Sequence, residues 1–473
     1  MNRTLKKYVG DRAFYRMAMA VAVPIMVHNG ITQFVSLLDN IMVGAVGQMQ
    51  MGGVGVANQL IFVFNLMIFG AVSGAGIFGA QFYGSGDNDG VRHTLRFKLL
   101  IAAALTVLGI AVFMIFDDTL IRAYLQGDGT AEERLQTMHY AKEYLHIMLL
   151  GFVPYAVSQC YASTLRECGR TVVPMVAGIV SVVVNLIFNT ILIFGCLGAP
   201  ALGSAGAAIA TVIARFTEAA IVIVWTHRKK CPYAVGLYRS FRIPKYLAAR
   251  IAKKTIPLML NETFWALSVA LLSMAYSLCG LEVVPTNTIS STVSNVFNVA
   301  FLAMGSAVGI IVGQLLGADR LEEAVDTDRK LIVFSVAICF VVGTAMALLS
   351  PVIPRLYSAQ PENVRALASK FILIVALAMP INSLANACYF TMRSGGKTLF
   401  TFLFDSVYAC VLVVPMAFFL YYVVGLSILP LFCVCQFADL GKCIIGLWLI
   451  KKGVWIQNIV KEEPHEHEVL SGT

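Results

Sequence analysis

Twelve apolar stretches dominate this chain, and each is long enough to cross a hydrocarbon layer about 30 Å thick. They run over roughly 14–43, 54–83, 94–116, 138–164, 172–195, 203–226, 248–279, 284–316, 329–350, 366–392, 400–421 and 426–450. Segments of this kind satisfy their backbone polar groups internally as helices, so the fold class expected is an all-α polytopic membrane protein. Only 13% of the 473 residues are charged and 58% are hydrophobic, whereas soluble domains carry about 25% charge. The basic start runs into a long apolar stretch with no small-residue cleavage site, which reads as a retained span. The eleven cysteines are scattered through apolar segments and read as small core residues, not a disulfide framework. The net charge of +9 sits in the loops. With no basic patch interleaved with aromatics, a nucleic-acid partner is not expected; a monomer in a lipid bilayer is.

The longest polar interruption divides the chain. The expected organisation is a six-helix lobe over 1–226, a basic linker over 227–247, a second six-helix lobe over 248–460, and a charged, disordered tail over 461–473. Lys and Arg set the orientation. Taking the N-terminus and every even-numbered loop as one side gives 26 basic residues there against six on the other. Both termini are therefore expected in the cytoplasm, with the spans in the cell (plasma or inner) membrane. The halves also repeat. Pro24-Ile25-Met26 aligns with Pro257-Leu258-Met259, and Gln81-Phe82-Tyr83-Gly84 with Gln314-Leu315-Leu316-Gly317, both at an offset of 233. Arg166 to Thr171 aligns with Arg393 to Thr398 at an offset of 227, and Pro154 and Pro380 precede the two copies. Six spans per copy is an even number, so the copies share topology about an axis along the membrane normal. Their interface is the natural substrate site.

Two motifs mislead. Gly74-x-Gly76-x-x-Gly79 matches a dinucleotide fingerprint but lies inside a span, with no strand before it. It reads as close helix packing, as does Gly305-xxx-Gly309-xxx-Gly313. Gly396-Lys397-Thr398 resembles the end of a phosphate loop, but position 391 is Thr where that loop needs Gly. With no site for nucleotide hydrolysis, no cofactor is expected, and pumping would draw on a gradient of Na+ or H+.

Polar side chains inside the spans mark the candidate site, because unpaired polar groups facing lipid are costly. In span 1, Asn29, Gln33, Ser36 and Asn40 follow i, i+4, i+7, i+11 spacing beside Asp39. Asn287, Ser291, Ser294 and Asn298 repeat that spacing in span 8; Asn185 and Asn189, and Asn382 and Asn386, are four apart in spans 5 and 10. Five acids lie in or near the spans: Asp39, Glu218, Glu262, Asp405 and Asp439. Arg215 with Glu218, and Asp439 with Lys442, are i, i+3 neighbours and read as structural ion pairs. Asp39, Glu262 and Asp405 keep no intrahelical partner, so the chamber is expected to be net negative and to favour cations. Glu262 lies about 21 Å deep from Ala248. It is a candidate proton carrier, flanked by Asn261, with Trp265 at i+3 where a ring could meet a substrate cation. Asp405 stands near Arg393 and Lys397, and there a structural role is as good a reading as a functional one. His465-Glu466-His467 in the tail offers two metal ligands at most.

The chain resembles the multidrug and toxic compound extrusion family. The residues that carry the likeness are Leu38-Asp39-Asn40-Ile41-Met42-Val43-Gly44, Gly84-Ser85-Gly86-Asp87, Arg166 to Thr171 with its twin, and Pro257 to Trp265. The resemblance implies two pseudo-symmetric six-helix lobes in a V, exchanging small organic cations or amphipathic drugs against Na+ or H+. It implies an acid in helix 1, matched by Asp39, and in one branch an acid in helix 7, matched by Glu262. The family's N-lobe cation site commonly places an Asn and an Asp four apart in helix 5. Here both are Asn: Asp39, Asn185 and Asn189 are the matching Na+ candidates, and the missing second carboxylate weakens that site or moves coupling toward Glu262. A flippase of lipid-linked oligosaccharides from the same superfamily would need cations in the cavity, and the spacing pairs Arg215 and Lys442 off. A membrane-embedded enzyme would need a nucleophile–base or metal constellation, which is not found.

Overall fold

The structure is a computed structural model that describes residues 7–125, 130–198, 200–280, 282–357 and 360–461, without the side chains of Ser36, Leu37, Asn40, Ile41, Gln48, Ala131 and Leu197. The expectations for Ser36, Asn40 and the 462–473 tail, His465 and His467 included, lie outside what is described. The fold is all-helical. Twelve spans follow one another: α1 (Arg12–Gly44), α2 (Gln48–Gly84), α3 (Asn88–Ile115), α4 (Ala131–Leu150 continued by Phe152–Glu167), α5 (Val172–Phe194) and α6 (Ser204–Arg228), then α7 (Lys245–Ser277), α8 (Val283–Gly317), α9 (Leu321–Leu349), α10 (Glu362–Ser394), α11 (Thr398–Tyr422) and α12 (Ile428–Lys451). Eleven of the spans are single segments long and apolar enough to cross a membrane; α4 is a pair of helices meeting at 49°. Pro154, which cannot donate to the Leu150 carbonyl, and Gly151, where the two segments join, mark the bend. Pro380, with no glycine in the preceding turn, sits inside an unbroken α10.

One apolar core fills the first lobe and runs across the seam to Leu258 and Tyr389, and a further core lies within the second lobe. In the first, Phe64 stacks on Phe152 with ring centroids 4.0 Å apart; in the second, Phe371 stacks on Phe432 at 3.9 Å. The lobes meet along α2, α7 and α8, towards the end where the turns 85–87, 168–170, 318–320 and 395–397 lie; these turns hold or adjoin many of the Lys and Arg, and this end is called the basic face below. Small residues make the approach close. A Cβ on Gly70 would stand 2.9 Å from Met259 Cα, and one on Gly74 2.8 Å from Thr255 Cα. The first half of α1 joins the seam, with Ala18, Ala22 and Ile25 packed with Ala303, Ala307 and Ile311 of α8. Towards the far face the polar side chains of the same helices are uncovered. Thr32 and Gln33 of α1 and Thr288, Ser291 and Asn295 of α8 are exposed, and a Cβ on Gly30 would touch nothing within 4 Å. The hydroxyls of Thr32, Thr288 and Ser291 bond back to carbonyls of their own helices.

Candidate functional site

In the first lobe the i, i+4 asparagines of α5 face the outer part of α1. Asn189 Nδ2 donates to Asp39 Oδ1 at 2.5 Å and to Asn185 Oδ1 at 3.0 Å. Asn185 Nδ2 donates in turn to Thr211 Oγ1 of α6 at 3.3 Å. Asn189 is fully buried, and its Oδ1 has no hydrogen-bond donor. Among the described residues no basic side chain forms an ion pair with Asp39. A carboxylate and a buried amide oxygen without a donor belong to one hydrogen-bonded cluster, and hard oxygen donors of this kind suit a small hard cation. Asn29 and Gln33 do not join them. They lie ten and six residues before Asp39, about 15 and 9 Å along the helix axis.

In the second lobe Glu262 sits halfway along α7, its Cγ 3.3 Å from a Cβ built on Gly70 of α2. It therefore lies at the seam, and among the described residues no ion pair reaches it. Asn261 turns the other way, into the lobe. Its Nδ2 donates to Asp405 Oδ2 and to Tyr389 Oη, both at 3.3 Å, and its Oδ1 accepts from Ser406 Oγ at 2.8 Å. Two expectations need correcting. Lys442 is held by Asp439 at 3.2 Å, as the spacing suggests, but it also pairs with Asp405 at 3.0 Å. Asp405 is therefore a partnered acid, and its cation comes from α12 rather than from Arg393 or Lys397. Leu403–Val407 and Ala409–Val413 are π-helical turns, and Asp405 and Ser406 stand in the first of them. Arg215 makes no ion pair with Glu218. Its guanidinium lies 4.9 Å over the Tyr155 ring and donates to Gly151 O at 3.4 Å, leaving Glu218 Oε1 buried without a donor. Trp265 is 41% exposed, and Ser291 is exposed. Asn287 reaches only Ser273 Oγ at 3.4 Å, and the Oδ1 atoms of Asn382 and Asn386 are buried without donors.

Between the lobes lies a cavity of about 120 Å³, its polar lining including Gln159, Ser163, Arg166, Glu167, Ser306 and Arg393. None of these six was singled out as a site residue. The expectation of a net negative chamber fails at this end, because the two arginines line it while Glu167 is neutralised from behind. Lys98 Nζ lies 2.7 and 2.6 Å from the Glu167 oxygens, and its side chain is wholly buried. Counting Lys98 as a loop residue missed this; its place five residues into span 3 was the available signal. The glycine motif of α2 takes its meaning here. A Cβ on Gly76 would stand 2.4 Å from Glu167 Oε1, and one on Gly79 2.2 Å from Oε2, so these glycines admit a carboxylate. The α8 series Gly305, Gly309 and Gly313 admits Asn386, Phe390 and Ala80 in turn. A second overlooked acid, Asp328, is buried in α9 and accepts from Thr391 Oγ1 at 2.6 Å.

The comparisons agree with this architecture. The sequence is 24% identical over 382 residues to the probable multidrug resistance protein NorM of Thermotoga maritima, covering 80% of each chain. It is 25% identical over 378 residues to the multidrug resistance protein MdtK of Yersinia enterocolitica, covering 79% of each. An outward-facing multidrug resistance MATE family transporter of the MOP superfamily superposes with a TM-score of 0.83 at 18% identity, over 96% of this chain and 99% of that one. A MOP superfamily transporter from Pyrococcus furiosus, described for the reverse polarity of its binding pocket, superposes at 0.82 with 16% identity, over 96% and 99%. A MatE family profile matches residues 24–191 and 257–419, one block in each lobe. Twelve spans in two repeated lobes, meeting at one end and carrying this profile in both, place the chain in the MatE family, the multidrug and toxic compound extrusion transporters.

Proposed function

We propose that this protein exports small organic cations or amphipathic drugs across the cell membrane, driven by inward movement of Na+ or H+. Its basic face would lie in the cytoplasm and a monomer would rock its lobes about the seam. The observation that carries the reading is the Asp39 cluster: an acid without a basic partner among the described residues, set against a buried amide oxygen that has no donor among them. Glu262, halfway along α7 and on the seam, supplies a second acid without an ion pair among the described residues. A coupling ion and a cationic cargo would occupy these carboxylates in turn. A one-for-one exchange of monovalent cations moves no net charge, so the concentration gradient of the coupling ion drives it: a tenfold ion gradient supplies about 1.4 kcal/mol, enough for about a tenfold gradient of cargo.

The test is export of a cationic dye by proteoliposomes, with and without Na+ and at several pH values. Asp39→Asn and Glu262→Gln are each expected to lower gradient-driven export at least tenfold. Wild-type rates in both variants would refute the reading. A second reading, movement of an anionic lipid-linked sugar, draws support from Arg166 and Arg393 on the cavity wall. Transfer of such a lipid by liposomes that export no dye would select it.

A further inference from the structure

The repeat places Gln81 in α2 and Gln314 in α8 at corresponding positions. Gln81 Nε2 donates to Ser394 O at 2.9 Å and to Gln457 O at 3.2 Å. Gln314 Nε2 donates to Glu167 O at 2.6 Å. Ser394 and Glu167 are themselves equivalent, separated by the 227-residue offset of the second repeat block, and each is the last residue of its helix, in α10 and α4. A terminal helix carbonyl has no partner in its own helix. Each glutamine supplies that missing donor from the opposite lobe. The glycines behind them show the same reciprocity. A Cβ on Gly84 would stand 1.9 Å from Gln314 O, and one on Gly317 1.9 Å from Gln81 O, so both residues must be glycine for the two backbones to touch. One side carries an additional tie. Ile459 N donates to Gln81 Oε1 at 2.8 Å, Asn458 Nδ2 to Gly317 O at 3.2 Å, and Arg250 Nη2 to Ile459 O at 2.5 Å.

From this we infer that Gln81 and Gln314 are positioning residues of the transport cycle: a two-fold latch that holds the lobes together at the basic face and is released as a unit when that face opens. The inference rests on the alternating-access reading above. Both amides and both carbonyls meet water once the lobes part, so each bond contributes only a small net amount. The latch is weak enough to open and strong enough to bias the resting state.

Amide hydrogen exchange on the full-length protein in lipid nanodiscs tests it. Gln314 makes no hydrogen bond to the segment 455–461, yet Gln314→Met is expected to raise exchange there about tenfold, equal to about 1.4 kcal/mol. By reciprocity of the coupling, Gln81→Met is expected to raise exchange in the 168–170 turn by a similar factor. Peptides from the lobe cores keep wild-type exchange. Should a Met variant lose that core protection, Gln314→Asn and Gln81→Asn, too short to reach across, give the deciding comparison. An effect confined to the mutated side, or none, overturns the inference. Dye export by the same variants in proteoliposomes stands apart: coupled exchange without export leaves the latch and removes the export reading, whereas export without coupled exchange does the reverse.

Discussion

Replacing Lys98 by Met tests the buried charge pair that walls the interlobe cavity. The Lys98 side chain is wholly buried, that of Glu167 is 8% exposed, and their closest atoms are 2.6 Å apart. At that separation the attraction is about 6 kcal/mol for an effective dielectric constant of about 20. Desolvating the two ions costs several kcal/mol each, so the intact pair contributes little net stability. Removing one partner differs, because it strands the other charge and costs about 3–5 kcal/mol. Glu167 cannot relieve itself by swinging away, since its oxygens are cradled by Gly76 and Gly79 and bonded by Ser163 Oγ at 2.5 Å. For a cooperative unit of about 220 residues, each kcal/mol corresponds to about 2 °C in Tm. Lys98→Met is therefore expected to melt about 6–10 °C below wild type in detergent, followed by loss of monodisperse protein on size exclusion. Lys98→Met with Glu167→Gln is expected to recover most of that loss, since neither group is then charged. A single variant within about 1 °C of wild type would refute this account, as would a double variant no more stable than the single.

Three further outcomes follow from the same geometry. Gly79→Ala puts a methyl group 2.2 Å from a fixed carboxylate oxygen; it is expected to cost about 1–3 kcal/mol by overpacking, read as a lower Tm in the same assay. Gly305→Ala meets Asn386 Oδ1 at 2.1 Å and Phe390 at 2.5 Å and is expected to fall in the same range, whereas Gly86→Ala, with open space but a φ of +79°, is strained through its backbone alone. Lys442→Met strands Asp405 and Asp439 together and is expected to cost about 3–5 kcal/mol; Asp405→Asn, which leaves Lys442 with Asp439, is expected to cost less, and the reverse order by thermal melting would contradict the shared pair.

Composition and periodicity determined the membrane class, the number of spans and the internal repeat, because each is a property of neighbouring residues or of one segment compared with another. That Asp39 and Glu262 are acids within spans was legible for the same reason: a carboxylate within an apolar stretch stands out wherever its helix comes to lie. Which charges are neutralised was settled only by packing between helices. Lys442 meets Asp405 37 residues away and Lys98 meets Glu167 69 residues away, while Asn189 reaches back 150 residues to Asp39. Spacing along a helix suggested Arg215 with Glu218, but at i, i+3 a side chain can still turn to a better neighbour, and Tyr155 and Gly151 were better. The glutamines at 81 and 314 show the division most clearly. Their equivalence is written in the repeat, but the bonds they make cross from one copy to the other, and no pattern within either copy records a contact between the two.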